Sequence, residues 1–154
     1  MNGTERGHRG SARVVEVAFL IALPLLFHYA FPLRIVVAKP YSYMGMIPML
    51  AGLALSTWAA RLFRQAGTSL QWQDGGSVLV MAGPYRFSRN PMYLGMLIWL
   101  VGLAVLLGSA TAFLFPILFF LLANFLVIPM EEMRMEREWG EGYLEYERSI
   151  GRWF

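Results

Sequence analysis

Charged side chains cluster along this sequence, and the apolar stretches between the clusters define its elements. No acid or base occurs in the 41 residues from Asn90 to Met130, between Arg89 and Glu131. As one straight helix this run would extend roughly 60 Å at 1.5 Å per residue, about twice the thickness of a bilayer's hydrocarbon core. It must double back, and Gly108-Ser109 near its middle, with Thr111 beside it, supplies the turn chemistry. The pattern predicts a hairpin of two helices, over about 91–107 and 112–128. Upstream, residues 41–60 are uncharged, bounded by Lys39-Pro40 on one side and by Arg61 and Arg64 on the other. That length predicts another span, with Pro48 bending its first turns. A further span is predicted over about 14–31. There Glu16 follows Arg13 by three residues and can pair with it at the interface, and Pro24 and His28 make this the least regular helix. Its apolar stretch exceeds that of a cleavable signal peptide and lacks a small-x-small site.

The reading is therefore a single all-α integral membrane domain, 1–154, with four transmembrane helices, the last two a hairpin, and short C-terminal helices on the cytoplasmic side. Basic residues test this topology independently. Four spans place eleven of the 13 basic residues on one side, leaving Arg34 and Lys39 on the other. The positive-inside rule then puts both termini in the cytoplasm, as in a multi-pass protein of a bacterial or archaeal-type cytoplasmic membrane.

Composition agrees: 57% of the residues are hydrophobic and 15% charged, against roughly 45–50% and about 25% in ordinary soluble domains. The formal charge of +3 comes with no polybasic run interleaved with aromatics, so no nucleic-acid partner is expected. Cysteine is absent, which excludes disulfides, thiolate metal sites and cysteine nucleophiles. Only His8 and His28 could supply imidazole, and no metal site is expected.

Polar chemistry is left to two segments on one face, 65–90 and 130–154. The first carries Asp74, the only aspartate, and Gly83-Pro84-Tyr85; in the second, a helix should run to Trp139, stop at Gly140 and be followed by a short helix around 143–149. The hairpin brings the mouths of its helices together. Arg86, Arg89, Asn90 and Tyr93 thus meet Glu131 and Glu132 beside lipid, a set suited to a zwitterionic cofactor and an amphiphilic substrate. In such a site the protein contributes positioning and electrostatics around a cofactor.

Gly83-Pro84-Tyr85-Arg86-Phe87-Ser88-Arg89-Asn90-Pro91-Met92-Tyr93-Leu94-Gly95 resembles the GPYRxxR(H/N)PxYxG signature of the membrane methyltransferases, a group that includes isoprenylcysteine carboxyl methyltransferases and phospholipid N-methyltransferases. The second half of that signature is also matched, by Glu131-Glu132, then Gly140, Tyr143, Tyr146 and the closing Arg152-Trp153. Ala66-Gly67-Thr68 is similar to the segment that often precedes it. The resemblance covers about residues 66–153. It implies S-adenosylmethionine as methyl donor, bound at the cytoplasmic face of the last two spans, and a lipid-like or small amphiphilic acceptor reached from the membrane. By position it implies donor contacts at Tyr85, Asn90, Pro91, Met92, Tyr93 and Glu131, with a weaker match over Ser77, Val78, Leu79 and Val80. Arg89 would take the donor carboxylate in a fork, and Glu132 would serve as a base. Tyrosines would cover adenine or meet the sulfonium by cation–π attraction.

Two departures bear on the acceptor. Asn90 stands where many prenylcysteine enzymes have histidine, and it keeps hydrogen bonding without titrating. Val127 stands four residues before Glu131, where the eukaryotic prenylcysteine enzymes place a substrate-binding arginine. Each residue also has a purely structural reading: Arg86 and Arg89 as interfacial anchors, the glutamates paired to Arg134 or Arg137, Tyr85 and Tyr93 in an aromatic belt, Gly95 and Gly102 as helix-packing positions, and His28 hydrogen-bonded within the bundle. The rival functions are an NADPH-dependent membrane lipid reductase, whose family has a similar Arg-to-Tyr-Gly stretch, and a small four-helix transporter or non-catalytic membrane protein.

Overall fold

The computed structural model describes residues 22–31, 33–66 and 79–154. Among them all regular structure is helical, apart from one isolated antiparallel bridge between Ile35 and Ser109. Helix α1 (22–30) is the described end of the first predicted span, and Arg13 and Glu16 lie outside the described residues. A 3-10 turn, Tyr41–Gly45, passes directly into α2, Met46–Gln65. The change falls two residues before Pro48, so the irregularity expected of that proline is taken up as a change of helical pitch at the start of the helix.

Helix α3, Pro91–Leu107, opens on a proline, whose missing N–H costs nothing in a first turn. It closes at Gly108, whose φ of +71° is a left-handed conformation that favours glycine. After a 3-10 turn, Ala110–Phe113, the chain runs through α4 (Leu114–Leu122), a π-helical turn (Ala123–Val127) and α5 (Ile128–Trp139). Gly140, with φ of +53°, breaks the run before α6, Glu141–Ser149. The predicted hairpin, its turn and the break at Gly140 are all present.

Among the described residues, two continuous helices, Tyr41–Gln65 and Ala110–Trp139, are long and apolar enough to cross a membrane, and the apolar α3 between them is shorter. Their outward side chains, including Leu50, Leu53, Ile117, Leu118 and Phe125, are exposed. Water would not tolerate so continuous an apolar surface, but lipid solvates it.

Helix α3 runs antiparallel to α2 and the 3-10 turn that leads into it, and the two sides meet along glycines seven residues apart. Gly45 lies against Gly102 and Gly52 against Gly95, and a Cβ at any of the four would run into the opposing backbone. This is the close-packing role expected of Gly95 and Gly102, extended to their partners Gly52 and Gly45. Ser56 Oγ reinforces the contact by donating to the Met92 carbonyl at 2.9 Å.

At the turn end, the Gly108 carbonyl accepts from the Val36 and Val37 amides at 2.7 and 3.1 Å, and the Ala110 amide donates to the Arg34 carbonyl at 3.1 Å. His28 Nδ1 lies 2.7 Å from Ser109 Oγ, which lies 3.0 Å from Thr111 Oγ1. His28 is thus the hydrogen-bonded bundle residue expected of it. Arg34 and Lys39 sit at this end, and the other described arginines sit at the opposite one.

Candidate functional site

Opposite the Gly108 turn, the mouth of the hairpin gathers the signature and the acid pair. The 3-10 turn Gly83–Arg86 precedes α3, with Gly83 at φ +59° and Pro84 in its first turn. It buries Tyr85 against Phe63 of α2, with ring centroids 6.2 Å apart. Tyr85 is therefore a core residue and not a member of an aromatic belt. Tyr146 of α6 donates to the Tyr85 carbonyl at 2.7 Å, which fastens α6 beneath the turn.

Tyr93, on the first turn of α3, donates to Glu131 Oε1 at 2.8 Å. This bond joins the two halves of the signature across the hairpin. One residue further on, the Glu132 carboxylate is held by two guanidinium groups, Arg89 Nη1 at 3.0 Å and Arg152 Nη2 at 2.6 Å. Arg89 also meets Glu147 Oε1 at 2.6 Å and Tyr143 Oη at 3.2 Å. Arg89, Glu132, Glu147 and Arg152 thus form a balanced set of two cations and two anions. The side chains of Arg89 and Glu132 are only 9% and 12% exposed, so each would be costly to bury without the other. Desolvation lowers the Arg89 pKa, but the Glu147 hydrogen bond and the Glu132 charge outweigh it and leave a net rise. Tyr143, desolvated by burial, is pushed up to about 12 despite the opposing Arg89 charge. Burial also raises Tyr85, assisted by Tyr146 and Glu131, and Tyr146, assisted by Tyr143. All three phenols are neutral hydrogen-bonding groups at physiological pH.

Asn124 is a further member. Pro129 has no N–H to offer the preceding turn, and its ring crowds the carbonyl four residues back. The helix widens into the π-turn, in which the Ile128 amide bonds to the Ala123 carbonyl instead of that of Asn124. The next residue is Pro129, so the Asn124 carbonyl is left without a helical donor. Arg152 Nη1 reaches it at 3.3 Å, and Trp153 Nε1 donates to Asn124 Oδ1 at 3.0 Å.

The predicted site residues are distributed unevenly over this arrangement. Tyr85, Arg89, Asn90, Pro91, Met92, Tyr93, Glu131 and Glu132 converge at the mouth. Val80 is buried in the cluster with Ala59, Phe63 and Tyr85, and Leu79 precedes it. Ser77 and Val78 lie outside the described residues. Arg89 and Glu132 are bound to each other, so neither is a solitary charge facing a ligand. Sequence reasoning missed Asn124, Glu147 and Ser88. An amide inside an otherwise apolar run, five residues before a proline, was the available signal for Asn124; Glu147 had none among the other exposed acids.

Two buried polar atoms at the mouth, Tyr85 Oη and Arg89 Nε, have no hydrogen-bond partner among the described residues. No group of acids or histidines among the described residues is arranged to hold a metal.

A helical membrane protein with its polar groups gathered at one mouth of a hairpin is the class that fold and site define. Residues 41–142 match the family model described as phospholipid methyltransferase, and the chain belongs to that family. Over 75 residues it is 41% identical to protein-S-isoprenylcysteine O-methyltransferase A of Arabidopsis thaliana, covering 47% of this chain and 36% of that protein. Over 117 residues it is 32% identical to a probable protein-S-isoprenylcysteine O-methyltransferase of Oryza sativa subsp. indica, covering 71% and 58%. An uncharacterized protein of Haemophilus influenzae is 36% identical over 62 residues, 40% of this chain and 98% of that one. The chain therefore spans about a third to three-fifths of the isoprenylcysteine methyltransferases it matches. No solved structure gives a significant match.

Proposed function

We infer that this chain transfers a methyl group from S-adenosylmethionine to a lipid-like or small amphiphilic acceptor at the cytoplasmic face of a membrane. Its family supports methyl transfer, and the observation that carries the reading is the 2.8 Å bond from Tyr93 to Glu131, which joins the two halves of the signature at one mouth. S-adenosylmethionine supplies a methyl group activated on a sulfonium. Glu131, fixed by Tyr93, holds the donor's ammonium or ribose hydroxyls, and Tyr85 Oη offers a buried hydrogen bond. The phenol of Tyr93 offers a cation–π face. Pro91 and Met92 shape the wall, and Asn90 contributes its amide. Arg89 holds the donor carboxylate through Nε while its Nη1 remains on the acids. Glu132, itself held by Arg152, keeps Arg89 in place.

Little more is required of the protein. Direct transfer to an aligned nucleophile needs proximity, orientation and the exclusion of water. The exposed apolar side chains of α4 and the π-turn, among them Ile117, Leu118 and Phe125, suit an acceptor that arrives laterally from the bilayer, and the gathering of arginines at this end supports its placement in the cytoplasm.

Calorimetric titration of the full chain in nanodiscs with S-adenosylmethionine and, separately, NADPH tests this reading. Saturable binding of the first is expected, and Glu131→Gln should weaken it by roughly tenfold or more, about the 1.5–3 kcal/mol of a charged hydrogen bond. Heat with NADPH alone would sink the reading. A labelled methyl-transfer assay on total lipid extract then identifies the acceptor class.

A further inference from the structure

Residues 150–154, which follow α6, cross the mouth of the hairpin and bond to both of its sides. On the α3 side, the Arg89 amide donates to the Gly151 carbonyl at 3.0 Å. The Arg152 carbonyl accepts from Ser88 Oγ and from Asn90 Nδ2, each at 3.2 Å. On the α4–α5 side, the Arg152 guanidinium grips both oxygens of Glu132, at 3.1 and 2.6 Å, and reaches the carbonyl freed by the π-turn. Trp153 follows on the same side, its ring 5.2 Å from Phe120. One residue therefore holds the signature with its backbone and Glu132 with its side chain.

We propose that Arg152 is a positioning residue that sets the separation of the two halves of the donor site and the orientation of Asn90. This rests on the methyl-transfer reading above. Because a carbonyl oxygen can only accept, Asn90 must turn its NH₂ toward Arg152 and present Oδ1 away from it. Asn90 thus offers the donor an acceptor oxygen, suited to an ammonium or hydroxyl. The fork on Glu132 does the same for Arg89: with Glu132 fixed from the far side, the Arg89 guanidinium is held with Nη1 on the acids and with Nε free of any hydrogen bond from the described residues. Removing Arg152 leaves Glu132 with a single cation and frees the Asn124 carbonyl. The backbone carbonyls of Gly151 and Arg152 on the α3 side and Trp153 on the other would then have to hold the crossing segment.

The test uses the full chain in nanodiscs, with S-adenosylhomocysteine as the binding probe and hydrogen–deuterium exchange as a readout independent of any ligand. Arg152→Ala is expected to weaken probe binding about tenfold or more through misplaced groups. It should also abolish protection at the Arg89 amide, while amides along the α2–α3 contact keep theirs. Arg152→Lys, which keeps the charge but cannot fork, should fall between, and it gives the result alone if the alanine variant does not fold. Arg148→Ala, an exposed change outside the network, should match the wild type. Unchanged probe affinity in Arg152→Ala, or protection lost equally throughout α2 and α3, overturns the proposal. A wild type that binds no probe overturns the methyl-transfer reading instead, and the exchange measurement still decides whether Arg152 ties the two halves together.

Discussion

The contact between α2 and α3 and the mouth between α3 and α5 use the same central helix in opposite ways. Along α2 the helices touch through glycine, so close that backbone meets backbone, with a single side-chain hydrogen bond from Ser56. At the mouth, contact runs through long charged and phenolic side chains. Lipid explains the division. Within the bilayer, apolar side chains gain nothing by leaving lipid for one another, so the helices associate by tight packing. At the interface, charges can be partly hydrated while still pairing strongly enough to fix geometry. The glycine contact makes a rigid platform, and the ion cluster uses it to aim polar groups.

Breaking the platform should have the largest effect. Gly52→Leu forces a side chain into the Gly95 carbonyl and the Trp99 backbone, and should cost about 3 kcal/mol or more, seen as loss of the folded fraction in thermal unfolding in detergent. Breaking the cluster comes next. Arg89→Ala leaves Glu132 and Glu147 facing each other with less cation, and should cost about 3 kcal/mol, the low end for orphaning a buried charge. The comparison sharpens if Arg89→Ala also reduces S-adenosylmethionine affinity while an equally destabilising change at the glycine contact does not. Tyr146→Phe removes only the donor to the Tyr85 carbonyl, and should cost about 1–2 kcal/mol in the same unfolding assay.

The smallest effect near neutrality is that of pH on the phenols. Tyr143 is raised from 10.0 to about 12, so the folded state holds its proton after the unfolded chain has lost it. Stability should therefore stay level up to about pH 10 and fall as pH rises toward about 12. Unfolding midpoints of wild type and Tyr143→Phe should converge across that window. A wild type that grew more stable there would contradict the buried placement of this ring.

Much of the fold was legible because a bilayer imposes one-dimensional rules. The uncharged run from Asn90 to Met130 was too long for a single crossing, and Gly108 marked its turn. Less of the site could be read. In the sequence Arg89 and Glu132 are separate groups free to act on a ligand, whereas folding binds them to each other and into one cluster with Arg152 and Glu147. Nothing in the spacing of positions 89, 132, 147 and 152 specifies that four charges share one cluster, since each is also an ordinary interfacial residue. The departure from α-helix at Ala123–Val127 was signalled only by Pro129, and its consequence depends on an arginine more than twenty residues away.

By itself the sequence determined what lipid and local chemistry enforce: apolar helices, a turn at Gly108, a break at Gly140, and polar groups at one mouth of a hairpin. Tertiary structure alone decided which charges pair, which phenols are buried, and that Arg152 closes the mouth. Hydrophobic length is a property of consecutive residues. Charge pairing depends on distances between residues far apart in the chain, and these exist only once the helices have packed.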